Sequence, residues 1–428
     1  MNNCIPASAY CTKIFDGTHD TPKPVLSGFP LITSKNILGG ILNLKDSYNI
    51  SEVNYNDIQK RSKVSQWDIL FSMIGSVGEI YLEKSPTIPY AIKNVGVFSC
   101  DDEYKAKWLY YYLKSPQAKQ YIQNYLNGAV QKFLPLGTLR SFPVLPYDDK
   151  YIPCIDLLFA LDSKIELNNR INAELEAMAK TIYDYWFVQF DFPHEFKTVK
   201  TDKSGRRTEL VEVKPYKTSG GKMVWNEELK REIPESWEVD KISKKVTIGS
   251  GYPFDSDEYN RVGEYKVITI KNVQDGFLDT TSVDYVSFLP NKISEFCILK
   301  VGDILMSLTG NVGRMCFVDQ NNLLLNQRVG KLIGEKYFVI YSYFFFKRPE
   351  NQQRLSKIAN GSSQSNLSPI EAVKDNFAIP PKEIMNQFME IVNPMIVQML
   401  TKNKENHKLT ELRDWLLPML MNGQVKLK

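Results

Sequence analysis

Histidine is scarce in this chain, with three among 428 residues, and six cysteines are scattered at Cys4, Cys11, Cys100, Cys154, Cys297 and Cys316 with no CxxC pair. That spacing excludes the usual thiolate–imidazole zinc sites and points to reduced thiols in a cytosol. No stretch reaches the ~18 consecutive apolar residues of a membrane-spanning helix. The opening MNNCIPASAYCTKIF has no basic segment followed by an apolar one, so no secretory leader is expected. No GKS or GKT follows a Gly-rich turn, which excludes a P-loop. His19, His194 and His407 fall in a globule, a linker and a helix face, so neither a catalytic triad nor an HExxH site has support. The Pro-Pro-aromatic motif of an amino-methyltransferase is missing too, because Pro380-Pro381 is followed by Lys382. Charge of one sign is also lacking: 53 basic and 49 acidic side chains leave a net +4, too little by itself to announce a polyanion partner.

What the chain does contain is itself, twice. DILFSMIGSVG (Asp68–Gly78) returns as DILMSLTGNVG (Asp303–Gly313), identical at seven of eleven positions. Around that pair, ITSKNILGG from Ile32 answers ITIKNVQDG from Ile268, and NVGVF near Val95 answers QRVGKL near Val329. NGAVQKFL from Asn127 answers NGSSQSNL from Asn360, SFPVLP answers NFAIPP, and NAELEAMAK from Asn172 answers NHKLTELRD from Asn406. Six matches in one order, at a nearly constant offset of about 235, make a tandem duplication. The period is domain-sized, so the chain resembles a covalent dimer with a pseudo-two-fold axis.

Each copy begins with short β-branched and aromatic runs punctuated by Gly, Pro and Asn, the pattern of a compact α/β globule. The repeated motif reads as a strand entering a Gly-rich turn, which either joins buried strands or cradles a phosphate. Each copy ends in a helix. From Ile155 to Phe187 a seam alternates three and four residues apart through Leu158, Leu161, Ile165, Asn168, Asn172, Leu175, Ala179, Ile182 and Trp186. The second copy gives Val392, Met395, Met399, Lys402, Asn406, Leu409, Arg413, Leu416 and Leu420. Pro394 should start or kink that helix, and Pro418 should disturb its last turn. Two helices of ~33 residues would each be ~50 Å long. Asn172 and Asn406 fall mid-seam, where a polar residue fixes register; they are expected to lie close together. Residues 197–222 carry eight basic and three acidic side chains, a composition that suits a solvated linker or a basic strap along phosphate.

The chain resembles the specificity subunit of type I restriction–modification systems over nearly its whole length. The resemblance rests on DGTHDTPKP (Asp16–Pro24), LDSKIELNNRINAELEAMAKTIYDYWFVQFDF (Leu161–Phe192), YKTSGGKMVWNEELKREIPESWEV (Tyr216–Val239) and LRDWLLPMLMNGQV (Leu412–Val425). The first copy lacks the Pro-x-x-Trp lead-in found at Pro234–Trp237, so either its globule has a shortened edge or the natural start lies upstream. The resemblance implies an α/β (α+β) tandem repeat, with two globular target recognition domains separated by two long antiparallel helices as a coiled-coil spacer of pseudo-two-fold symmetry. Recognition domains would occupy 1–152 and 236–382, conserved helical regions 153–190 and 383–428, and a basic linker 191–235. It further implies a non-catalytic, cytoplasmic subunit that reads a bipartite, asymmetric DNA site, one domain per half-site. Two adenine-N6 methyltransferase subunits and the restriction–translocase subunits would be its partners. S-adenosylmethionine, ATP and Mg2+ would sit on those partners, with no cofactor or metal in this chain.

For DNA contact, amide and basic loop side chains have the right chemistry, since Asn or Gln suits adenine and Arg or Lys suits guanine. The candidates are Thr18, His19, Lys35, Asn36, Gln131 and Lys132 in the first copy, and Tyr252, Lys271, Asn272, Gln364, Ser365 and Asn366 in the second. Lys35-Asn36 and Lys271-Asn272 recur in both copies, so they suit a phosphate or a turn better than a base. Asn172, Leu175, Ile182, Asn406, Leu409 and Leu416 are the candidate register and spacer residues. Trp186, Phe187, Leu412, Trp415 and Leu417 are candidates for contact with the methyltransferase, with a core role as the alternative. Three other functions remain open: a solitary or silent specificity chain without an active complex, a tandem protein-binding scaffold, and a methyltransferase in its own right.

Overall fold

The computed structural model describes residues 4–127, 133–201, 207–359 and 365–421. They form two units, Met1–Ile165 with Lys408–Lys428, and Glu166–His407. The repeated motif supplies the central strand of a four-stranded antiparallel sheet in each. In the first unit the order is Lys13–Asp16, Val95–Ser99, Ile69–Ser72, Ile80–Leu82. In the second it is Val246–Ser250, Val329–Gly334, Ile304–Ser307, Met315–Phe317. Alternation along the central strand feeds two cores from its two faces. Ile69 and Phe71 enter one cluster and Leu70 another; Ile304 and Met306 enter one and Leu305 another. This explains why the strand after Asp68 and Asp303 begins with consecutive apolar residues: both faces are covered.

The turn after that strand settles the two possibilities for its glycines. Gly75, Gly78, Gly310 and Gly313 all have positive φ, which only glycine adopts cheaply. The amides of Gly78 and Gly313 donate to the carbonyls of Ser72 and Ser307, both at 3.0 Å. Backbone donors spent on the turn are not free to hold a phosphate, so the motif is a hairpin turn. A second sheet repeats as well. Phe29–Ile32 lies parallel to Ala91–Ile92, and Tyr265–Ile268 lies parallel to Leu323–Leu325. The edge ladder differs in length, with two residue pairs at Ile5–Pro6 and four at Glu238–Lys241.

The first long helix spans Ile152–Tyr183 and closes in a π-helical turn, Asp184–Val188; the second spans Lys382–Met421. At 1.5 Å per residue they are about 48 and 60 Å long. The second helix runs unbroken through both prolines, so Pro394 does not start it and Pro418 does not end it. One missing N–H per proline is outweighed by packing of the neighbours Val392, Ile396, Leu417 and Leu420. Each unit takes part of both helices into its core. The first buries Cys154, Ile155 and Leu158 with Leu417, Leu420 and Met421; the second buries Ala179 and Tyr183 with Met385, Phe388, Val392 and Ile396.

Three expectations are corrected here. Trp186 and Phe187 are not available to a partner: both are buried, with Phe187 ringed by Phe388, Tyr341 and Trp237 at centroid distances of 4.8, 5.0 and 5.9 Å. Leu417 is likewise core. Residues 191–235 are not a linker. Pro193–Thr201 and Arg207–Pro215 pair antiparallel over nine residues, and Met223–Asn226 pairs with Arg231–Pro234. Val211 and Val213 alternate on the second of these strands, while Phe192, Tyr216 and Trp237 stack at the base.

In the second unit the two helices run antiparallel through a ladder of amides. Asn168 Nδ2 donates to Asn406 Oδ1 at 2.9 Å and to Glu405 at 3.0 Å; Asn172 Nδ2 donates to Asn403 Oδ1 at 2.6 Å. Asn406 donates in turn to Asn169 at 2.8 Å. Asn172 and Asn406 therefore bond across the seam to other partners rather than to each other. Leu175 and Leu409 are half-buried, Ile182 packs on the core of the second unit and Leu416 on that of the first.

In the first unit Asp162 takes Arg413 at 2.8 Å and Lys114 at 3.3 Å. The equivalent lysine of the second unit, Lys347, instead takes Glu176 at 2.6 Å and Asp275 at 2.9 Å. Burial by itself raises the Asp162 pKa, but Lys114 and Arg413 outweigh it and hold the carboxyl below its usual range. Burial pushes Lys114 down despite the carboxylate, whereas Asp162 holds Arg413 up, in keeping with the shorter contact to arginine.

Two stability predictions follow from these contacts. A depressed folded pKa stabilises above the unfolded value of about 3.9, and this is lost as pH falls through the folded value. Asp162→Asn should cost about 3 kcal/mol at pH 7, by stranding Lys114 and leaving Arg413 only Asp414. Denaturant melts of the full chain should show that deficit shrinking below pH ~4. Asn406→Leu should cost about 1–3 kcal/mol by removing one of the two acceptors of Asn168 and the donor to Asn169, and adding Asn168→Leu should then cost less than Asn168→Leu does alone. A double-variant loss equal to the sum of the two single losses would show that the amide ladder is not coupled.

Candidate nucleic-acid interface

The loops that leave the sheets place the proposed DNA-contact residues, and the structure sorts them into three groups. Asn36 and Asn272 are buried staples. Asn36 Oδ1 accepts from the Thr33 amide at 2.9 Å and its hydroxyl at 3.0 Å, while Nδ2 donates to the Asn43 carbonyl at 3.1 Å. Asn272 repeats this with Thr269 at 2.8 and 2.9 Å, and with the carbonyls of Asp279 and Ser282. Their amides are consumed by the turn and cannot read bases. The neighbouring Lys35 and Lys271 are exposed, and neither ammonium has an ion pair among the described residues. Free cations at equivalent points of both units are the chemistry of a phosphate contact.

Thr18 and Tyr252 form the second group. Both sit on isolated parallel bridges, Thr18 to Lys93 and Tyr252 to Asn326. The Thr18 hydroxyl accepts from the Asp20 amide at 3.2 Å, and Tyr252 packs edge-on against Phe254 with centroids 5.0 Å apart. His19 is exposed, with Nδ1 2.7 Å from Asn94 Oδ1 and Nε2 3.2 Å from Asp16. The other histidines are remote from this chemistry. His194 lies against Tyr216 in the hairpin, and His407 faces Asp319 at 3.2 Å.

The third group lies where the segment after the paired helices returns to the Gly-rich turn. Thr309 bridges Asn366, Gly310 N donates to the Ser365 carbonyl at 3.1 Å, and Leu367 N donates to the Leu308 carbonyl at 2.8 Å. Ser365 and Asn366 are both exposed, and Asn366 lines a cleft of about 490 Å³ with Ser250, Thr309, Gln327, Arg328 and Ser368. Gln131, Lys132 and Gln364 lie outside the described residues.

Gln327 and Arg328 were absent from the candidates drawn from the sequence. Their signal was visible as QRVGKL, but that segment served only as a scaffold match to NVGVF. Counting from the bridges to the shared Val95 and Val329 shows one extra residue in the second copy, which carries Gln327 and Arg328 where the first has Asn94. Of the candidate partner residues, Leu412 and Trp415 remain exposed on the second long helix, Trp415 at 63%. Among the described residues no cluster of His, Cys, Asp or Glu could hold a metal, and no helix is long and apolar enough to cross a membrane.

The comparisons with known proteins agree with this architecture. The model of the type I restriction modification DNA specificity domain matches twice, over residues 27–177 and 234–411. The chain is 23% identical over 372 residues to the MjaIX specificity subunit of Methanocaldococcus jannaschii, covering 84% of this chain and 78% of that protein. It is 24% identical over 304 residues to the HindI specificity subunit of Haemophilus influenzae, covering 63% and 66% of the two chains. Its fold is similar to the crystal structure of a type I restriction-modification S subunit from M. genitalium, with a TM-score of 0.50 at 14% identity, over 98% of this chain and 95% of that one. With the family model matched once in each copy of the duplication, this chain belongs to the type I restriction modification DNA specificity family.

Proposed function

We propose that this chain, a non-catalytic specificity component, reads an asymmetric bipartite site in double-stranded DNA, with one globule on each half-site. The observation that carries this is the pairing of a repeated scaffold with an unrepeated rim. Sheet order, parallel bridges, Gly turns and Asn staples recur in both units, whereas the residues beside the turn differ, Ile74 and Phe133 in one and Thr309 and Asn366 in the other. Two globules of one fold and two surfaces suit two half-sites of different sequence.

Lys35 and Lys271 would hold phosphates in equivalent positions and so set each globule's register on the duplex. The two long helices would fix the gap between half-sites; lengths of about 48 and 60 Å exceed the ~34–36 Å of one turn of DNA. The chain would bring two adenine-N6 methyltransferase subunits and restriction–translocase subunits to the site, with Leu412 and Trp415 as exposed apolar contacts. S-adenosylmethionine, ATP and Mg2+ would be bound by those partners, in the cytoplasm.

The test is binding to duplex DNA by the chain in complex with its methyltransferase subunit, titrated at about 50 to 200 mM salt. Log affinity should fall linearly with log salt, and Lys35→Ala or Lys271→Ala should each lower the slope by about one, equally on all sequences. Binding that ignores salt, or an absence of DNA binding, would contradict the function.

A further inference from the structure

The rim beside the Gly-rich turn deepens the function proposed above and rests on it. In both units one extended segment returns to bridge the second residue after the central strand, Phe133 to Ile74 and Asn366 to Thr309. The backbone attachment is the same, since Leu134 N donates to the Met73 carbonyl at 3.0 Å and Leu367 N to the Leu308 carbonyl at 2.8 Å. The side chains are opposite in character. In the first unit Ile74 is 43% and Phe133 36% exposed, an apolar pair open to solvent. In the second the same seat offers Thr309 and Asn366, joined by Gln327 and Arg328 from the longer neighbouring loop.

Those polar groups are unengaged. The Arg328, Gln327 and Asn366 side chains have no hydrogen bond or ion pair among the described residues, and Thr309 Oγ1 is buried with no partner. Most other rim groups are satisfied internally, as Asn36, Asn272 and the His19–Asn94 pair show. A buried hydroxyl left without a partner costs free energy that an incoming polar edge would return. Chemistry then sorts the two seats. A guanidinium pairs with the two acceptors on guanine's major-groove edge, and an amide suits adenine; an apolar pair suits the one base that presents a methyl group, thymine.

We infer that this seat is the base-reading site of each globule, with Arg328 and Asn366 contacting a purine edge, Arg328 a guanine, in one half-site, and Ile74 with Phe133 packing on a thymine methyl in the other. Gln327 stands beside Arg328 as a second amide. Lys35 and Lys271, by contrast, would act alike on every sequence.

The experiment methylates a library of bipartite duplexes with the assembled chain–methyltransferase complex, comparing wild type, Arg328→Ala, Asn366→Ala and the Ile74→Ala/Phe133→Ala double variant. Melting of each complex establishes folding, and deoxyuridine in place of thymidine removes only the methyl group. Arg328→Ala should relax preference at one guanine of one half-site by roughly 5- to 150-fold, leaving the other half-site unchanged. The wild type should lose rate on the deoxyuridine half-site, and the Ile74→Ala/Phe133→Ala variant should treat both pyrimidines alike. Folded variants with the wild-type motif, or loss spread evenly over all sequences, would overturn the assignment and leave the DNA-reading function standing. A wild-type complex with no preferred sequence would overturn both.

Discussion

The burial of Leu417, Leu420 and Met421 in the first globule, and of Ala179, Tyr183 and Trp186 in the second, is the constraint on which the rest depends. Each globule closes its core with residues from the helix that belongs to the other copy of the repeat. At about 1.5–3 kcal/mol for each fully buried large side chain, such contacts are worth a large fraction of a domain's stability. The two copies are therefore bound to fold with each other's helices. The amides at Asn168, Asn172, Asn403 and Asn406, and the Asp162–Arg413 pair, then select one register for that exchange. Apolar seam residues alone would tolerate a slip; a hydrogen-bonded amide or a buried carboxylate does not.

Much of this was legible in the sequence, for a physical reason. Duplication preserves what holds a fold together, so the DIL strand, the positive-φ glycines and the heptad seam stand out by matching. The same reasoning misled wherever a matched or apolar residue was taken for a surface. Trp186 and Phe187 fall at the end of a helix, and nothing local shows that Phe388 and Trp237 cover them. Asn172 and Asn406 are equivalent in sequence, but antiparallel neighbours are set by the crossing, which pairs Asn172 with Asn403. The segment around Val199 is rich in Lys and almost wholly exposed, so no apolar alternation marks Pro193–Thr201 as a strand, and only its pairing with Arg207–Pro215 does.

The recognition surface was the least legible part. The side chains of such a rim do not match between the copies and need no periodicity, so only the fold brings Gln327 and Arg328 to Thr309 and Asn366. The one-residue difference between Lys93–Val95 and Asn326–Val329 is invisible without the bridges that anchor both loops. Scaffold and reader are thus separated in kind: the shared Asn36 and Asn272 are consumed by their turns, and the unshared Gln327, Arg328 and Asn366 side chains are left open among the described residues.

The central claim is that two unlike readers on one duplicated scaffold direct methylation to a two-part site. Long-read methylation sequencing of host DNA, with the gene intact and then deleted, tests it most directly. A bipartite N6-methyladenine motif with two unlike halves and a fixed gap should vanish on deletion. A methylation pattern unchanged by the deletion would contradict the claim.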